Sequence, residues 1–435
     1  MDASTAGLLV VAVLMLMLIG GVYIGVALGL AGMIGIWLTS GASSAFAQLA
    51  TIPFSTTNSF TLAVIPLFIF MGSFATQANL TTDLYRAAYK WLGHLHGGLA
   101  IATNFASAMF GAASGSTIVN AAVFTRMSMP EMTALGYSPR LAAGCIAASG
   151  TLAALIPPSV LMVIYAVITE QSVAKVMIAG LVPGILTACV FAASIYVRAL
   201  RNPDLAPTPV AMPPLGERVR SLRGVWGITI LFVLVIGGIY GGFFTATSAG
   251  AFGAFGAMLI VIAKGRLNLK SLMEIIKEAS ISTTTIFIIV IGGMLFARFV
   301  TYTGLITDIV DWSLALELPR LAYLLGFILL FLVLGMFIEP IAIMVMTLPI
   351  IYPIMTSVGY DPIWLGIIAV KMAEISLCTP PVGLNVYIVR ASSPVPLALE
   401  DVFAGVTPFL LMEVLILALL IIFPEIVTFV PDLMD

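Results

Sequence analysis

Long apolar stretches, joined by short polar connections, run along almost the whole chain. The first two predicted membrane spans cover Ala6–Tyr23 and Ile24–Thr39, and a polar loop follows through Asn58. A third span covers Leu62–Thr76. The amphipathic segment Leu80–Leu92 is too short and too charged to cross a bilayer, which takes about 20 apolar residues. It therefore predicts an arm helix outside the membrane core.

Two later segments of the first half are apolar but interrupted. The Gly- and Ser-rich segment 93–125 breaks at Gly111–Ser116. Each of its halves is too short to cross the bilayer, so the segment predicts a re-entrant helical hairpin. The predicted helix over 139–168 is broken at Pro157-Pro158, because a proline pair removes two amide donors. Inside a membrane such a break survives only where it is buried in protein or lines a wet cavity.

The second half of the chain repeats this plan. Pro380-Pro381 follows Pro157-Pro158 after 223 residues (380 − 157). Other turn-forming and apolar positions share that offset: Pro130 and Pro353, Met132 and Met355, Gly136-Tyr137 and Gly359-Tyr360, and Pro139 and Pro362. A second hairpin is therefore predicted over 320–352 and a second broken helix over 362–390. The chain divides into a first repeat, 1–200, a linker, 201–223, and a second repeat, 224–435.

The loop charges indicate that the two repeats are inverted in the membrane. The first arm helix and the turn after its hairpin carry bases: Arg86, Lys90, Arg126 and Arg140. The corresponding positions of the second repeat carry acids: Asp308, Asp311, Glu317 and Asp361. Basic loops face the cytoplasm, so the first arm and the linker are predicted to be cytoplasmic and the second arm periplasmic. The C-terminus, which has no base after Val427, is predicted to be periplasmic.

Composition agrees with an all-α polytopic membrane protein of about ten transmembrane helices and two hairpins. Of 435 residues, 61% are hydrophobic and 9% charged, and the mean hydropathy is +1.16; soluble chains carry about 25% charged residues. A formal net charge of −2 and the lack of a basic cluster argue against a nucleic-acid partner. The three cysteines lack metal or disulfide spacing. The acidic N-terminus predicts a first span rather than a cleaved signal.

Four irregular segments are expected to converge near the membrane midplane, because two inverted repeats bring their broken helices together. They are the two hairpin tips, at Ser114–Thr117 and Ile338–Pro340, and the two proline-pair breaks. Broken helices free backbone carbonyls, and Ser, Thr and Asn add oxygens that suit a cation such as Na⁺. The free amide ends of half-helices favour an anion. The alternative is that the small residues only permit tight helix packing.

Charged residues inside apolar segments are functional candidates, since they are costly in lipid. Arg298 ends a predicted span, where its guanidinium could pair with a substrate carboxylate or extend to the interface. Glu339, at the second hairpin tip, could accept from a polar substrate or bind a cation. Lys371 and Glu374, one helical turn apart, are predicted to neutralise each other. Glu413 has no evident partner in the sequence.

Motifs of catalysis do not occur in the sequence. There is no His-Glu-x-x-His pair, no Walker-type phosphate loop and no pair of intramembrane aspartates. Ser114 and Ser149 have no histidine nearby in sequence that could act as a base. We therefore expect no enzymatic activity. The missing base and metal ligands count against an intramembrane enzyme, and a non-catalytic membrane scaffold would leave the two broken helices unexplained.

Several motifs together carry a family resemblance over essentially the full length. They are Ile65–Gly72, the Ser-Gly-Ser hairpin tip, Gly136–Pro139, Ile156–Ser159 and Thr379–Asn385. The chain resembles the large membrane subunit of tripartite ATP-independent periplasmic (TRAP) transporters. The resemblance implies a secondary transporter of the bacterial inner membrane. It would use a Na⁺ gradient to import an organic acid, such as sialic acid, a C4-dicarboxylate or another sugar acid, by an elevator movement.

The resemblance also implies partners and ligand residues. A periplasmic substrate-binding protein would deliver the acid, and a small membrane subunit is expected as a separate polypeptide. The implied Na⁺ ligands lie at the hairpin tips and the breaks: Ser114, Gly115, Ser116, Thr117, Gly150, Thr151, Pro157, Glu339, Cys378, Thr379, Pro380, Gly383 and Asn385. The substrate-contact candidates are Arg298, Glu339, Ser114 and Asn385. The alternative is a stand-alone Na⁺/dicarboxylate symporter that needs no binding protein.

Overall fold

The computed structural model describes residues 3–207 and 209–434, and within these ranges all regular secondary structure is helical. The helices before the midpoint are α1 Ala3–Ile19, α2 Ile24–Ser40, α3 Ala42–Thr57, α4 Val64–Gln77, α5 Leu80–Leu92, α6 Gly98–Ser114, α7 Thr117–Ala134, α8 Pro139–Leu155, α9 Val160–Ile168, α10 Val173–Ala179, α11 Leu181–Arg201 and α12 Leu215–Leu222. A 3₁₀ turn covers Pro203–Leu205. The all-helical fold class predicted from the sequence is confirmed.

The helices of the second half follow a similar order. They are α13 Trp226–Phe232, α14 Gly238–Tyr240, α15 Ala246–Ala263, α16 Leu269–Tyr302, α17 Leu305–Ala315, α18 Arg320–Gly335, α19 Pro340–Ser357, α20 Pro362–Cys378, α21 Leu384–Ser392, α22 Leu399–Ile422 and α23 Glu425–Asp432. A π-helical turn at Val233–Gly237 joins α13 to α14. Among the described residues, five helices are long and apolar enough to cross a bilayer, and three bent helix pairs raise this number to eight.

Both predicted hairpins are interrupted at short turns. In the first, Gly115 ends α6 with φ +60°, a left-handed conformation that glycine adopts without a steric penalty. Ser116 precedes α7 and caps it, because its side chain accepts a hydrogen bond from the amide of Val119. In the second, Glu339 occupies the position before α19, and Pro340 opens that helix, where its missing N–H costs nothing.

The two proline pairs likewise interrupt the helices that carry them. Pro157-Pro158 separates α8 from α9, and Ser159 caps α9 by accepting from the amide of Met162. Pro380-Pro381 separates α20 from α21, which begins after Gly383 at φ +62°. A side chain at Gly383 would be strained in that conformation and would press on the ring of Phe403.

The interrupted helices pack into one unit, which we call the interrupted-helix cluster (α6–α9 and α18–α21). Each hairpin packs against its own broken helix, α6 and α7 on α8, and α18 and α19 on α20. The second halves cross over, because α9 packs on α19 and α21 packs on α7. Every residue of α8 from Leu141 to Leu155 and of α20 from Trp364 to Cys378 is buried. A helix that is buried on all sides forms a core.

A second group of helices, which we call the frame (α2, α4, α15 and α16), lies beside this cluster. α2 packs on α16 over much of its length, and α4 packs on both α15 and α16. Glycines set the α2–α16 contact: a Cβ at Gly32 would lie 2.6 Å from the carbonyl carbon of Leu295, and one at Gly292 would collide with the carbonyl oxygen of Gly25. Small residues of this kind let helix backbones approach closely in membranes.

The predicted polar loop through Asn58 is wrong, because Ala42–Thr57 forms α3. Three of its hydroxyl groups donate to backbone carbonyls of the same helix, as the hydroxyl of Thr51 donates to the carbonyl of Ala47 at 2.7 Å. The helix also packs against α2 and α16. Polar composition therefore did not prevent a helix, since packing supplied the stabilisation.

Three boundaries differ from the sequence prediction for a related reason. α7 continues to Ala134 and α19 to Ser357, past Pro130 and Pro353. Neighbouring helices in a membrane bundle can satisfy the backbone groups that a proline frees, so a helix can continue past one. The predicted linker is also partly ordered, because α12 packs on α5. The division into two repeats and their inversion stay predictions.

The glycine contact between α2 and α16 should limit what the frame tolerates. Gly292→Leu should lower the thermal unfolding temperature of the purified protein, because the new side chain meets the backbone of Gly25 rather than a movable side chain. Overpacking of this kind costs about 1–3 kcal/mol or more. Gly326→Leu is the matched control, since nothing lies within 4 Å of a Cβ built there. Equal unfolding temperatures for the two variants would contradict this role.

Candidate functional site

A cavity lies where the interrupted-helix cluster meets the frame. It encloses about 860 Å³ of empty space, counted with the open solvent at its mouth. Both hairpin tips, the start of α9 and one face each of α4 and α16 form its walls. The polar residues of the lining are Ser73, Thr76, Ser114, Ser116, Thr117, Glu278, Ser282 and Glu339. Among the described residues, this is therefore the cavity that both hairpin tips share.

Three helix N-termini border this cavity, those of α7, α9 and α19. Side chains of Ser116 and Ser159 satisfy one amide each in α7 and α9, both at 3.4 Å. Glu339 holds the corresponding position before α19 but makes no capping hydrogen bond. The first amides of a helix carry a partial positive charge that favours an anion. The cavity thus combines amide dipoles with a carboxylate that its own helix does not use.

Five of the residues predicted from the sequence meet at this cavity: Ser114, Gly115, Ser116, Thr117 and Glu339. Thr117 is 7% exposed, and its hydroxyl makes no hydrogen bond within the described structure. The hydroxyl of Ser114 is engaged only by a long bond, 3.5 Å, to the carbonyl of Gly111. Both hydroxyl groups therefore have bonding capacity left for a ligand in the cavity.

The residues around the two breaks lie deeper, inside the interrupted-helix cluster. Asn385 is fully buried, and its amide nitrogen lies 3.4 Å from the carbonyl of Ala147. Its oxygen Oδ1 is buried without a hydrogen-bond partner, and so is Oδ1 of Asn120 on the neighbouring α7. Each of these oxygens could accept a hydrogen bond or coordinate a cation.

The remaining predicted ligands are near the breaks but differ in access. The hydroxyl of Thr151 donates to the carbonyl of Ala148 at 2.7 Å, and that of Thr379 donates to Ile375 at 2.7 Å. Cys378 is buried and Pro380 is exposed. Of three further predicted ligands, Pro157 and Gly383 lie in the breaks, whereas Gly150 lies within α8. None of these residues lines the hairpin-tip cavity.

No group of three or more His, Cys, Asp or Glu side chains in the described part of the chain could hold a metal ion. Any Na⁺ site here would depend on amide, hydroxyl and backbone oxygens. The unpartnered Oδ1 atoms of Asn120 and Asn385 provide two of them.

Arg298 does not reach the cavity. It lies on the exposed side of α16, with its guanidinium carbon 5.9 Å from the ring centroid of Tyr302. This position is one from which an arginine can extend to the membrane interface, and the contact of Arg298 with substrate stays a prediction. The sequence showed that Arg298 ends an apolar run but did not show which face of α16 it occupies.

Four polar residues of the cavity were missed by the sequence prediction: Ser73, Thr76, Glu278 and Ser282. Glu278 and Ser282 lie on α16, which begins at Leu269 and has 34 residues. The run from Glu278 to Thr285 holds an acid and five hydroxyl residues within one apolar helix. That pattern was a signal for a wet helix face.

The predicted partnership of Lys371 and Glu374 is wrong. Lys371 forms its ion pair with Glu413 of α22, and its ammonium donates to the hydroxyl of Thr187 at 3.0 Å. The long lysine side chain leaves its own helix for these partners. Glu413, which had no evident partner in the sequence, is therefore the ion-pair partner of Lys371. Glu374 is a second buried carboxyl group beside this pair.

The model of the family described as "Tripartite ATP-independent periplasmic transporter, DctM component" matches residues 11–426. The chain is 36% identical over 408 residues to the C4-dicarboxylate TRAP transporter large permease protein DctM of Pseudomonas aeruginosa, which covers 93% of this chain and 92% of that protein. It is 33% identical to the ectoine/5-hydroxyectoine TRAP transporter large permease protein UehC of Ruegeria pomeroyi, over 86% of both.

A third relative and a solved structure extend the comparison. The chain is 29% identical to the sialic acid TRAP transporter large permease protein SiaM of Vibrio cholerae, over 86% of this chain and 87% of that protein. The crystal structure of the Alcanivorax borkumensis YdaH transporter, described as having an unusual topology, aligns with a TM-score of 0.60. That alignment covers 88% of this chain and 89% of the other at 15% identity, which supports the fold alone.

Access to the cavity can be tested by cysteine labelling. In a Cys189→Ser background, which removes the exposed native thiol, Ser282→Cys should react with a water-soluble maleimide because it lines the open cavity. Ser107→Cys is the matched control, since Ser107 is fully buried in α6. The measurement is the mass increase of purified protein after labelling. Labelling of both positions at one rate would argue against the cavity as described.

Proposed function

Because the chain belongs to the DctM component family of TRAP transporters, a family of membrane transporter subunits, we propose that it is the large permease subunit of a Na⁺-coupled importer of an organic acid. The observation that carries the proposal is the cavity in which both hairpin tips meet three helix N-termini. A carboxylate is favoured at such N-termini. The named relatives are permeases for C4-dicarboxylates, ectoine and sialic acid.

Coupling to Na⁺ is supported by the buried oxygens of the interrupted-helix cluster. Oδ1 of Asn120 and Oδ1 of Asn385 are enclosed without a partner, which is unfavourable unless a donor or a cation reaches them. The backbone at a broken helix supplies carbonyl oxygens of the same kind. We propose that these oxygens, with hydroxyls of the tips such as Ser116, hold the coupling ions beside the substrate.

An elevator movement is supported by two cavities along one boundary. The hairpin-tip cavity includes Val160 and Leu161 of α9. A second cavity, of about 550 Å³ with its open solvent, includes Ile164 and Ile168 of the same helix, and three hydroxyl residues on and after α3. Both cavities lie between α9 and α16, at different heights. A shift of the interrupted-helix cluster along the frame would open one cavity and close the other.

The proposed setting is the bacterial inner membrane, with the C-terminal residues on the periplasmic side as their charge predicts. The proposed partners are a small membrane subunit and a periplasmic substrate-binding protein, which the family description implies. If a binding protein delivers the substrate, the substrate affinity and the direction of transport depend on the whole assembly rather than on the large subunit alone. The large subunit then contributes the pathway and the ion coupling.

Variants of the proposed ligands should weaken the response to Na⁺. In proteoliposomes that contain the complete system, Ser116→Ala and Asn385→Leu should each raise the Na⁺ concentration for half-maximal uptake. Loss of one ligand worth about 1.4 kcal/mol corresponds to a tenfold change. Ser357→Ala is the control, because its hydroxyl bonds within α19 to the carbonyl of Ile354. An unchanged Na⁺ dependence in both ligand variants would reject these sites.

The partners can be tested by omission in the same vesicles, with succinate, ectoine and sialic acid as the substrates offered. Uptake of at least one of them should require the large subunit, the small subunit and the binding protein together. The counterpart is the large subunit reconstituted alone, which should give no uptake above that of empty vesicles. Uptake by the large subunit alone would instead indicate a stand-alone symporter.

A further inference from the structure

The helix α12, which lies between the two halves of the chain, has an exposed apolar face. Leu215, Val219 and Leu222 recur at the helical spacing i, i+4 and i+7, so they lie on one side of the helix. These three residues are 67%, 53% and 45% exposed, and no residue of α12 is buried. Large apolar side chains that are aligned and exposed in this way indicate a surface at which another apolar phase docks.

A different side of α12 is already occupied by α5. The indole N–H of Trp91 donates to the carbonyl of Arg218 at 3.1 Å, and the guanidinium carbon of Arg218 lies 4.3 Å from the centroid of the Trp91 ring. Lys90 of α5 pairs with Glu217 at 3.9 Å. Because these contacts hold Glu217 and Arg218 toward α5, they set the rotation of α12 about its axis. The apolar face therefore points away from the protein.

Two arginines of α12 lie beside the apolar face without an acidic partner. Arg220 and Arg223 are exposed, and neither forms an ion pair with any residue that the structure describes. They border an open groove of about 680 Å³, counted with its solvent, to which Val219 and Glu217 also contribute. The carboxylate of Glu217 is engaged by Lys90. The groove thus presents two uncompensated guanidinium groups next to an apolar side chain.

The position of α12 in the chain predicts that this face meets a membrane surface. Three residues connect Leu222 to Trp226, where α13 opens the next apolar helical run. That run, which extends to Tyr240, is bent by 54° relative to α12, so α12 turns away from its direction. Trp226 is 41% exposed, and tryptophan is enriched at membrane interfaces. At such an interface, acyl chains and phosphate groups are both within reach of a short amphipathic helix.

We propose that α12 docks on the membrane surface and binds anionic phospholipid there. Leu215, Val219 and Leu222 enter the boundary between headgroups and acyl chains, and Arg220 and Arg223 bind the phosphates. Arginine suits this role because its aliphatic stem follows the apolar surface while its guanidinium forks on a phosphate. The docked helix holds α5, on which it packs, at the same surface. The proposal does not depend on the transported acid or on the coupling ion.

The position of the apolar face can be measured with spin labels. The full chain carries Cys189→Ser and is placed in vesicles of phosphatidylcholine with phosphatidylglycerol. A nitroxide at Val219→Cys should collide more often with oxygen, which concentrates in the acyl region, than with a water-soluble nickel complex. Gly216→Cys is the matched control, since a Cβ there meets nothing within 4 Å and lies outside the apolar face; its label should favour the nickel complex. Equal ratios at the two positions would contradict docking.

The lipid charge and the two arginines supply the second measurement. Omission of phosphatidylglycerol, or Arg220→Gln with Arg223→Gln, should shift the label at Val219→Cys toward the nickel complex, because each arginine contributes about fivefold to binding an anionic surface. Arg126→Gln with Arg390→Gln removes two exposed arginines elsewhere and should cause no shift. A label that responds to neither change would rule out the phosphate contacts. Protection from both reagents that requires added small membrane subunit would show that a protein, not lipid, covers this face.

Discussion

Backbone amide and carbonyl groups that lack partners cost several kcal/mol in a bilayer, and this cost organises the molecule. Four helices are interrupted within apolar stretches, so their free groups must be enclosed by protein. The structure encloses them by packing the hairpins on the broken helices and by burying α8 and α20 on every side. As a result, the four helix interruptions lie in one region of the core. That region is also where a ligand can find unused donors and acceptors.

The frame differs from the cluster, because its helices have few free backbone groups to enclose. Its helices are nearly continuous, and they approach through glycines such as Gly25, Gly32 and Gly292 rather than through interlocked large side chains. The interrupted-helix cluster therefore packs against a regular surface of the frame. The hairpin-tip cavity forms along this boundary because the polar faces of α4 and α16 are not filled by the tips opposite them. The two units therefore pack differently, which is the feature that the proposed elevator movement would use.

The helix breaks were predictable because they depend on local chemistry. A proline pair removes two adjacent amide donors, so the two broken helices could be recognised from the sequence. A single proline or glycine is not enough to interrupt a helix, since α7 continues past Pro130 and α16 past Gly292. Features that depend on rotation or reach were not predictable. The sequence did not show that Arg298 lies on the exposed face of α16. The ion-pair partner of Lys371 lies on α22, 42 residues further along the chain (413 − 371). The helix α3 depends on packing with α2 and α16, which composition does not encode.

The crosswise contacts of the second half-helices have a consequence for biogenesis. During synthesis the first hairpin and α8 enter the membrane long before α21, which packs on α7, has been made. Until then α7 lacks the helix of the second half that packs on it. Long-range contacts of this kind delay folding and leave intermediates exposed. The first half must therefore wait in the membrane as an incomplete bundle, which makes it a natural client for insertion factors and quality control.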